Sequence, residues 1–242
     1  MLRAIQDSLL SIVYPLECSV CRDQVEGYGD GAACRNCWDA TRIFDGSEML
    51  CDRCGAFFGD KAAPVPVFCH QCNDHQYEKA AALGVYEKAL SASIISLKTE
   101  PALPARLIKL IPIAIKRTGF DNADIIIPIP LSPQRKLERG YNQADFIAAL
   151  IGRAMKVPVD TGSLTRTIHT PIHRIAMDKK ARELTVRNAF EVKRPKLVDG
   201  KNILLVDDVF TSGATASNCA RVLKKSGAGK VNIFTLARAV MS

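Results

Sequence analysis

Two adjacent carboxylates and a group of hydroxyl side chains lie close together near the end of the chain. Asp207 and Asp208 follow the apolar run from Ile203 to Val206, which is typical of a fully buried strand. The small, hydroxyl-rich turn that comes next consists of Thr211, Ser212, Gly213, Ala214 and Thr215. Helix N-terminal N–H groups and hydroxyls favour a phosphate, whereas paired carboxylates accept hydrogen bonds from a diol and hold a hydrated Mg2+. This combination predicts a site for a sugar phosphate of the ribose 5-phosphate type.

A strand, a tight turn and a helix are needed to bring these groups together. The strand places both acids at the carboxyl edge of a parallel sheet, where open α/β folds bind ligands. Gly213 allows a backbone angle that a Cβ atom would penalise, and the helix is expected to continue to Leu223. Because successive strand residues point to opposite faces, one aspartate has a second interpretation, as a helix cap or as the partner of a lysine.

The run ILLVDDVFTSGAT from Ile203 to Thr215 resembles the phosphoribosyl diphosphate (PRPP) signature of type I phosphoribosyltransferases. The resemblance implies that Asp207 and Asp208 contact the ribose hydroxyls of PRPP, which binds together with Mg2+. It also implies that the 5-phosphate is held by the turn residues Thr211, Ser212, Gly213, Ala214 and Thr215. The fold that it implies is a parallel sheet flanked by helices.

A second basic segment, PIPLSPQRKLERGYN from Pro128 to Asn142, follows another predicted buried strand at Ala123 to Ile127. We interpret it as a turn-rich loop at the same edge of the sheet. Its cationic residues Arg135, Lys136 and Arg139 are candidates for binding the diphosphate of the substrate, as this part of the fold does in type I phosphoribosyltransferases. The alternative is that they are solvent-facing surface charges.

Eight of the nine cysteines form four CxxC pairs, which are Cys18/Cys21, Cys34/Cys37, Cys51/Cys54 and Cys69/Cys72. A two-residue gap lets both thiolates reach one tetrahedral ion, so the pattern predicts two structural Zn2+ sites with four cysteines each. We expect the first pair to join the second and the third to join the fourth, although the spacing also allows a crossed arrangement. Disulfides are the less favoured alternative, because the chain shows no secretion signal.

Composition and charge divide the chain near residue 78. Residues 1–78 hold 6 Lys and Arg against 12 Asp and Glu, whereas residues 79–242 hold 27 against 13, and the whole chain has a net charge of +8. We therefore expect a double zinc-ribbon module at 1–78 and an α/β domain of the type I phosphoribosyltransferase-like class at 79–242. No apolar run approaches the roughly 20 residues of a membrane span, and the expected location is cytoplasmic.

The pattern of the α/β domain is that of strands alternating with crossover helices. Strands are predicted at Ala80 to Tyr86, Ala123 to Ile127, Ala189 to Val192, Ile203 to Val206 and Lys230 to Leu236, all in one sheet. Helices are predicted from Ala89 to about Lys98 and from Ala102 to Arg117. The basic residues of 157–190 predict a hood that closes over the substrate, with a plain surface loop as the alternative. They include Arg166, His169, His173, Arg174, Lys179, Lys180 and Arg182.

Three features together resemble the ComF family of competence-associated, phosphoribosyltransferase-like proteins. They are the CxxC head, the run RGYNQA from Arg139 to Ala144, and the run RNAFEV from Arg187 to Val192. Two positions depart from the pattern of many members, since His173 stands where a glutamine would fall and Thr185 where an asparagine would fall.

The resemblance implies PRPP binding, transfer of the phosphoribosyl group to a nitrogen acceptor that the sequence does not identify, and a link to DNA uptake in natural transformation. A second hypothesis is a protein without catalysis that binds single-stranded DNA through the basic body and the zinc head, with the PRPP site regulatory. Competence or DNA-repair machinery is the partner class in either case. A third is a retained fold without chemistry, against which the intact acids and Thr215 argue.

Overall fold

The computed structural model describes residues 16–167 and 189–240. Its strands are β1 (Met49–Leu50), β2 (Phe57–Gly59), β3 (Ala80–Val85), β4 (Ile125–Pro128), β5 (Leu164–Arg166), β6 (Phe190–Val192), β7 (Ile203–Phe210) and β8 (Val231–Arg238). Its α-helices are α1 (Arg35–Asp39), α2 (Lys88–Ser96), α3 (Ala105–Thr118), α4 (Pro133–Arg139), α5 (Gln143–Met155), α6 (Pro195–Val198) and α7 (Ala214–Lys225). Within these residues, a four-stranded parallel sheet has the strand order β3, β8, β7, β4.

Helices cover both faces of this sheet, because successive residues of β7 point to opposite faces and are buried on each of them. Leu205 is buried in one core cluster with Cys219 of α7, whereas Leu204 is buried in the other with Ile147 of α5. A strand buried on both faces must be apolar throughout, as the run from Ile203 to Val206 is. The predicted fold class, a parallel sheet flanked by helices with a four-cysteine module before it, is confirmed.

Most predicted elements are present within a few residues of their expected bounds, but three expectations were wrong. First, β7 does not stop before the acids and instead runs through both of them to Phe210. Second, the segment after β4 is not simply turn-rich, because Pro133–Arg139 forms the helix α4. Third, the strand at Phe190–Val192 does not complete the central sheet, since it pairs antiparallel with β5 in a separate ladder.

The cysteine-rich head packs directly against the sheet. An isolated antiparallel bridge pairs Ile43 with Gly84 of β3, and the N–H of Phe44 donates to the carbonyl of Leu83 at 2.9 Å. A Cβ atom at Gly84 would lie 2.3 Å from the carbonyl oxygen of Arg42, so this close approach requires glycine. In the described part of the chain, no helix combines the length and hydrophobicity needed to cross a bilayer.

Candidate functional site

A cleft of about 390 Å3 opens at the carboxyl edge of the central sheet. Its wall is formed by Tyr86, Lys98, Ile129, Pro130, Leu131, Arg135, Arg139, Gln143, Arg166, Asp207, Asp208, Val209, Thr211, Thr215 and Ala239. The cleft thus combines two carboxylates, two threonine hydroxyls and four cationic side chains. It lies where the sequence pattern places a ligand in an open α/β sheet.

The two acids reach the cleft because β7 extends beyond its neighbour β4. Pro128, the last residue of β4, is paired with Val206, so the following residues of β7 have β8 on one side and the cleft on the other. The N–H of Asp208 donates to Oδ1 of Asp207 at 2.9 Å, and the N–H of Val209 donates to Oδ1 of Asp208 at 2.7 Å. Both carboxylates therefore line one cleft despite their adjacent positions in a strand.

The carboxyl group of Asp207 is held in an unfavourable environment for its charge. Burial, followed by the neighbouring charge of Asp208, raises the pKa of Asp207 well above its usual range. The positive charge of Arg166 acts in the opposite direction. A cation bound between the two acids would relieve their repulsion, so the pair is suited to holding Mg2+ or a ligand that carries it.

The predicted phosphate turn divides into cleft-lining and supporting residues. Thr211 and Thr215 line the cleft, whereas Ser212, Gly213 and Ala214 do not. Gly213 has a φ angle of 76° and precedes α7, which begins at Ala214. Its backbone is covered by Phe210 and His75, because a Cβ atom there would lie 2.5 and 2.7 Å from their rings. Glycine is thus required both by conformation and by space, and it directs the N-terminus of α7 toward the cleft.

Two of the three residues predicted to bind the diphosphate line the cleft, and their positions on the helix α4 explain why the third does not. The hydroxyl of Ser132 caps its N-terminus, and Gly140, with a φ angle of 76°, ends it. Arg135 and Arg139 lie one turn apart on the same face and line the cleft. Lys136 is exposed outside the cleft wall, where its charge acts on Asp145 of α5.

Three polar residues of the wall were not predicted as binding candidates from the sequence, namely Tyr86, Lys98 and Gln143, and a fourth, Arg166, was predicted only as part of the hood. Tyr86 follows β3 and Lys98 follows α2, and no local pattern marks either of them. Arg166 belonged to the predicted basic hood, and its guanidinium lies 5.4 Å from the ring centre of Phe190. The other hood candidates, His169, His173, Arg174, Lys179, Lys180 and Arg182, lie outside the described residues, as does Thr185.

The cysteine sulfurs form two clusters in the expected combination. Cys18, Cys21, Cys34 and Cys37 form one, and Cys51, Cys54, Cys69 and Cys72 form the other, with the sulfurs of each cluster within 4.8 Å of one another. Backbone N–H groups of Cys34 and Cys69 donate to the sulfurs of Cys18 and Cys51, each at 3.3 Å. Such bonds stabilise thiolates, and four converging thiolates fit a tetrahedral structural Zn2+.

The thiol pKa values agree with clusters built to hold a cation. Burial alone would raise the pKa of the Cys51 thiol, but backbone hydrogen bonds, chiefly those involving Cys54 and Cys69, lower it to about 7. Burial and the neighbouring sulfurs Cys69 and Cys51 raise the pKa of Cys72 to about 11. A dication supplies the charge that lets all four sulfurs remain deprotonated, since thiolates are the metal-binding form.

Comparison with known proteins finds one matching family model and several similar bacterial proteins. A family model described as a double zinc ribbon domain matches residues 9–75. The DNA utilization protein YhgH of Escherichia coli is 28% identical over 94% of this chain and 99% of its own length. The competence protein F of Haemophilus influenzae is 28% identical over 93% of this chain and 98% of its own. The competence protein ComFC of Bacillus subtilis is 35% identical over 49% of this chain and 46% of its own.

Solved structures show more distant likenesses. The glutamine PRPP amidotransferase of Bacillus subtilis is 22% identical with a TM-score of 0.34, covering 47% of this chain and 22% of the enzyme. The purine phosphoribosyltransferase of Pyrococcus horikoshii is 14% identical with a TM-score of 0.34, covering 55% of this chain and 81% of the enzyme.

Proposed function

Since the chain is a ComF-family protein, as its full-length relatives and its double zinc ribbon show, we propose that it binds PRPP with Mg2+ in the cleft and transfers the phosphoribosyl group to a nitrogen acceptor. The observation that carries the proposal is that acidic, hydroxyl and cationic side chains line one cleft at one edge of the sheet. Paired carboxylates, the hydroxyl turn at the start of α7 and the arginines of α4 surround one cleft. Ribose hydroxyls, a phosphate and a diphosphate are the matching parts of PRPP.

Each part of the substrate has a suitable partner in this arrangement. Thr211 and Thr215, with the N-terminus of α7, favour the 5-phosphate, because helix amides and hydroxyls donate to phosphate oxygens. Asp207 and Asp208 accept hydrogen bonds from the ribose hydroxyls. Arg135 and Arg139 neutralise the charge of the diphosphate. Mg2+ would supply further neutralisation of the diphosphate as it leaves.

The transfer consists of one bond broken and one bond formed at the anomeric carbon. The bond to the diphosphate oxygen breaks with both electrons leaving on the diphosphate, and the lone pair of the acceptor nitrogen forms the new bond. The acceptor then loses its proton to solvent. Positive charge that develops on the ribose ring is favoured by the carboxylates of Asp207 and Asp208, while the arginines hold the leaving group. The chain supplies positioning and electrostatics, with no covalent intermediate.

The test is calorimetric titration of PRPP into the purified zinc-loaded protein, with and without Mg2+. The matched variant is Asp207→Asn/Asp208→Asn, whose zinc content and circular dichroism verify that it is folded. We expect Mg2+-dependent binding by the wild type and its loss in the double variant. Absence of binding by the wild type would overturn the proposal, as would unchanged binding by the double variant.

A groove on the zinc-ribbon head favours a second candidate function, binding of single-stranded DNA. Phe58 and Phe68 are 46% and 63% exposed, and with Phe57, His70 and Val240 they line a groove of about 590 Å3. Ala239 lines both this groove and the cleft, so the two sites adjoin. Exposed aromatic rings are the groups on which unpaired bases stack. Fluorescence anisotropy with a labelled oligonucleotide tests this candidate, and a salt-insensitive or absent signal would exclude it.

A further inference from the structure

The segment RGYN that precedes α5 is anchored by side chains to the elements behind the cleft. The hydroxyl of Tyr141 donates to the carbonyl of Leu97 at 3.0 Å, next to the cleft residue Lys98. Nδ2 of Asn142 donates to the carbonyl of Ile129 at 3.1 Å, directly after β4. The side-chain oxygen of Asn142 also caps α5. These bonds fix the start of α5 against the ends of α2 and β4.

Gln143, the next residue, has no such partner. Its side chain is buried at 2% exposure, yet its Nε2 atom has no hydrogen-bond partner among residues 16–167 and 189–240. Leaving an amide buried and unpaired costs stability, and native proteins therefore satisfy nearly all such groups. An apolar side chain of similar size, such as methionine, would avoid this cost in the ligand-free protein.

The position of Gln143 indicates where the missing partner would be. Gln143 is the first residue of α5 and lines the cleft. Side chains of a helix lean toward its N-terminus, and that end of a 13-residue helix carries the positive pole of the helix dipole. Arg135 and Arg139 line the same cleft. The site therefore offers an unpaired donor, a helix N-terminus and two guanidinium groups, all of which favour an anionic oxygen.

We propose that Gln143 is a substrate-binding residue whose amide Nε2 donates a hydrogen bond to the diphosphate of PRPP. This inference rests on the proposed function and adds a ligand to the arginines of α4. A neutral donor complements them, because it fixes the direction of one diphosphate oxygen without adding charge that would slow release of the product.

The test compares Gln143→Met with Gln134→Met, since Gln134 is an exposed glutamine on α4 that bonds to Glu138 at 2.9 Å outside the cleft. Calorimetry with PRPP, inorganic pyrophosphate and ribose 5-phosphate measures the affinity, and thermal unfolding of the ligand-free protein measures the Tm. For Gln143→Met we expect about tenfold weaker binding of PRPP and pyrophosphate, unchanged binding of ribose 5-phosphate, and a higher Tm. For Gln134→Met we expect no change in affinity.

The outcomes separate this inference from the proposed function. If the wild type binds pyrophosphate but not PRPP, the proposed function is overturned, whereas weaker pyrophosphate binding by Gln143→Met would still place Gln143 at a diphosphate-binding site. Equal affinities of wild type and Gln143→Met for PRPP would overturn only the role of Gln143. A lower Tm without weaker diphosphate binding would make Gln143 a purely structural residue, and an equal loss for ribose 5-phosphate would overturn its assignment to the diphosphate. Failure of the wild type to bind either diphosphate would overturn both.

Discussion

Arg238 donates a hydrogen bond from Nη1 to the carbonyl oxygen of Thr211 at 2.9 Å. The same guanidinium lies 4.3 Å from the ring centre of Phe210, and its Nη2 is 3.6 Å from the sulfur of Cys54. Arg238 is 4% exposed, and none of the ion pairs within 16–167 and 189–240 involves it. A zinc–thiolate centre would supply the negative charge that a buried guanidinium needs. The second cysteine cluster is thereby connected to the turn that begins at Thr211.

We expect Arg238→Met to weaken PRPP binding about tenfold, because the carbonyl of Thr211 loses its donor and the phosphate turn is no longer held against β8. Calorimetry measures the affinity, and metal analysis checks that two zinc ions per chain remain. Arg106→Met is the matched control. Arg106 also lies over an aromatic ring beside a cysteine cluster, 5.6 Å from the ring centre of Trp38, but its ion pair is with Asp39 of α1. Equal PRPP affinities of Arg238→Met and Arg106→Met would show that Arg238 does not support the turn at Thr211.

The two arginines of α4 are expected to differ from the lysine between them. Arg135→Gln and Arg139→Gln should each weaken PRPP binding by about tenfold, since a charge-assisted hydrogen bond to phosphate contributes roughly 1.5–3 kcal/mol. Lys136→Gln should leave the affinity within about twofold, because Lys136 lies outside the cleft wall. The same calorimetric titration checks all three variants. A loss for Lys136→Gln equal to that of the arginine variants would place the diphosphate on the other side of α4.

Cleft residues that are close together in the chain could be predicted from the sequence. Residues whose role depends on contacts between distant parts of the chain could not. Asp207, Asp208 and the turn at Gly213 were recognisable because one strand, one turn and one helix determine their geometry. Arg238 and Gln143 were not, since Arg238 bonds to a turn that precedes it by a whole helix and strand. Gln143 is distinguished only by a buried amide that has no partner among the residues that the structure describes. The sequence did not separate Lys136 from the two arginines that line the cleft, because a basic run does not reveal which residues share a helical face until the helix is known.

Asp207→Asn is expected to stabilise the ligand-free protein while abolishing its Mg2+-dependent PRPP binding. Burial and the charge of Asp208 raise the pKa of Asp207, so the folded state favours a neutral group at this position. The gain should be about 1 kcal/mol at neutral pH, within the range that single stabilising substitutions commonly give. Urea unfolding measures the stability, and Asp121→Asn in an exposed loop is the matched control.

The pH dependence follows from the direction of that shift. A carboxyl group whose pKa is raised by folding binds more protons in the folded state, so its contribution to stability is fully present below the pKa of an unfolded aspartate, about 3.9. That contribution is lost as the pH rises toward the raised pKa. The stability difference between Asp207→Asn and the wild type should therefore grow from acidic to neutral pH. A difference that shrinks over this range would show that Asp207 is stabilised as an anion.

The groove on the head is the proposed site of contact with single-stranded DNA. If bases stack on Phe58 and Phe68, Phe58→Ala/Phe68→Ala should weaken oligonucleotide binding by at least about tenfold, because stacking contributes roughly 1–3 kcal/mol per base. The salt dependence of binding should stay the same, since it is set by the phosphate contacts of basic residues. Ile113→Ala removes a similarly exposed apolar side chain from α3 and serves as the control. Unchanged PRPP affinity in the double variant would show that the groove acts apart from the cleft, and unchanged DNA affinity would exclude stacking at these rings.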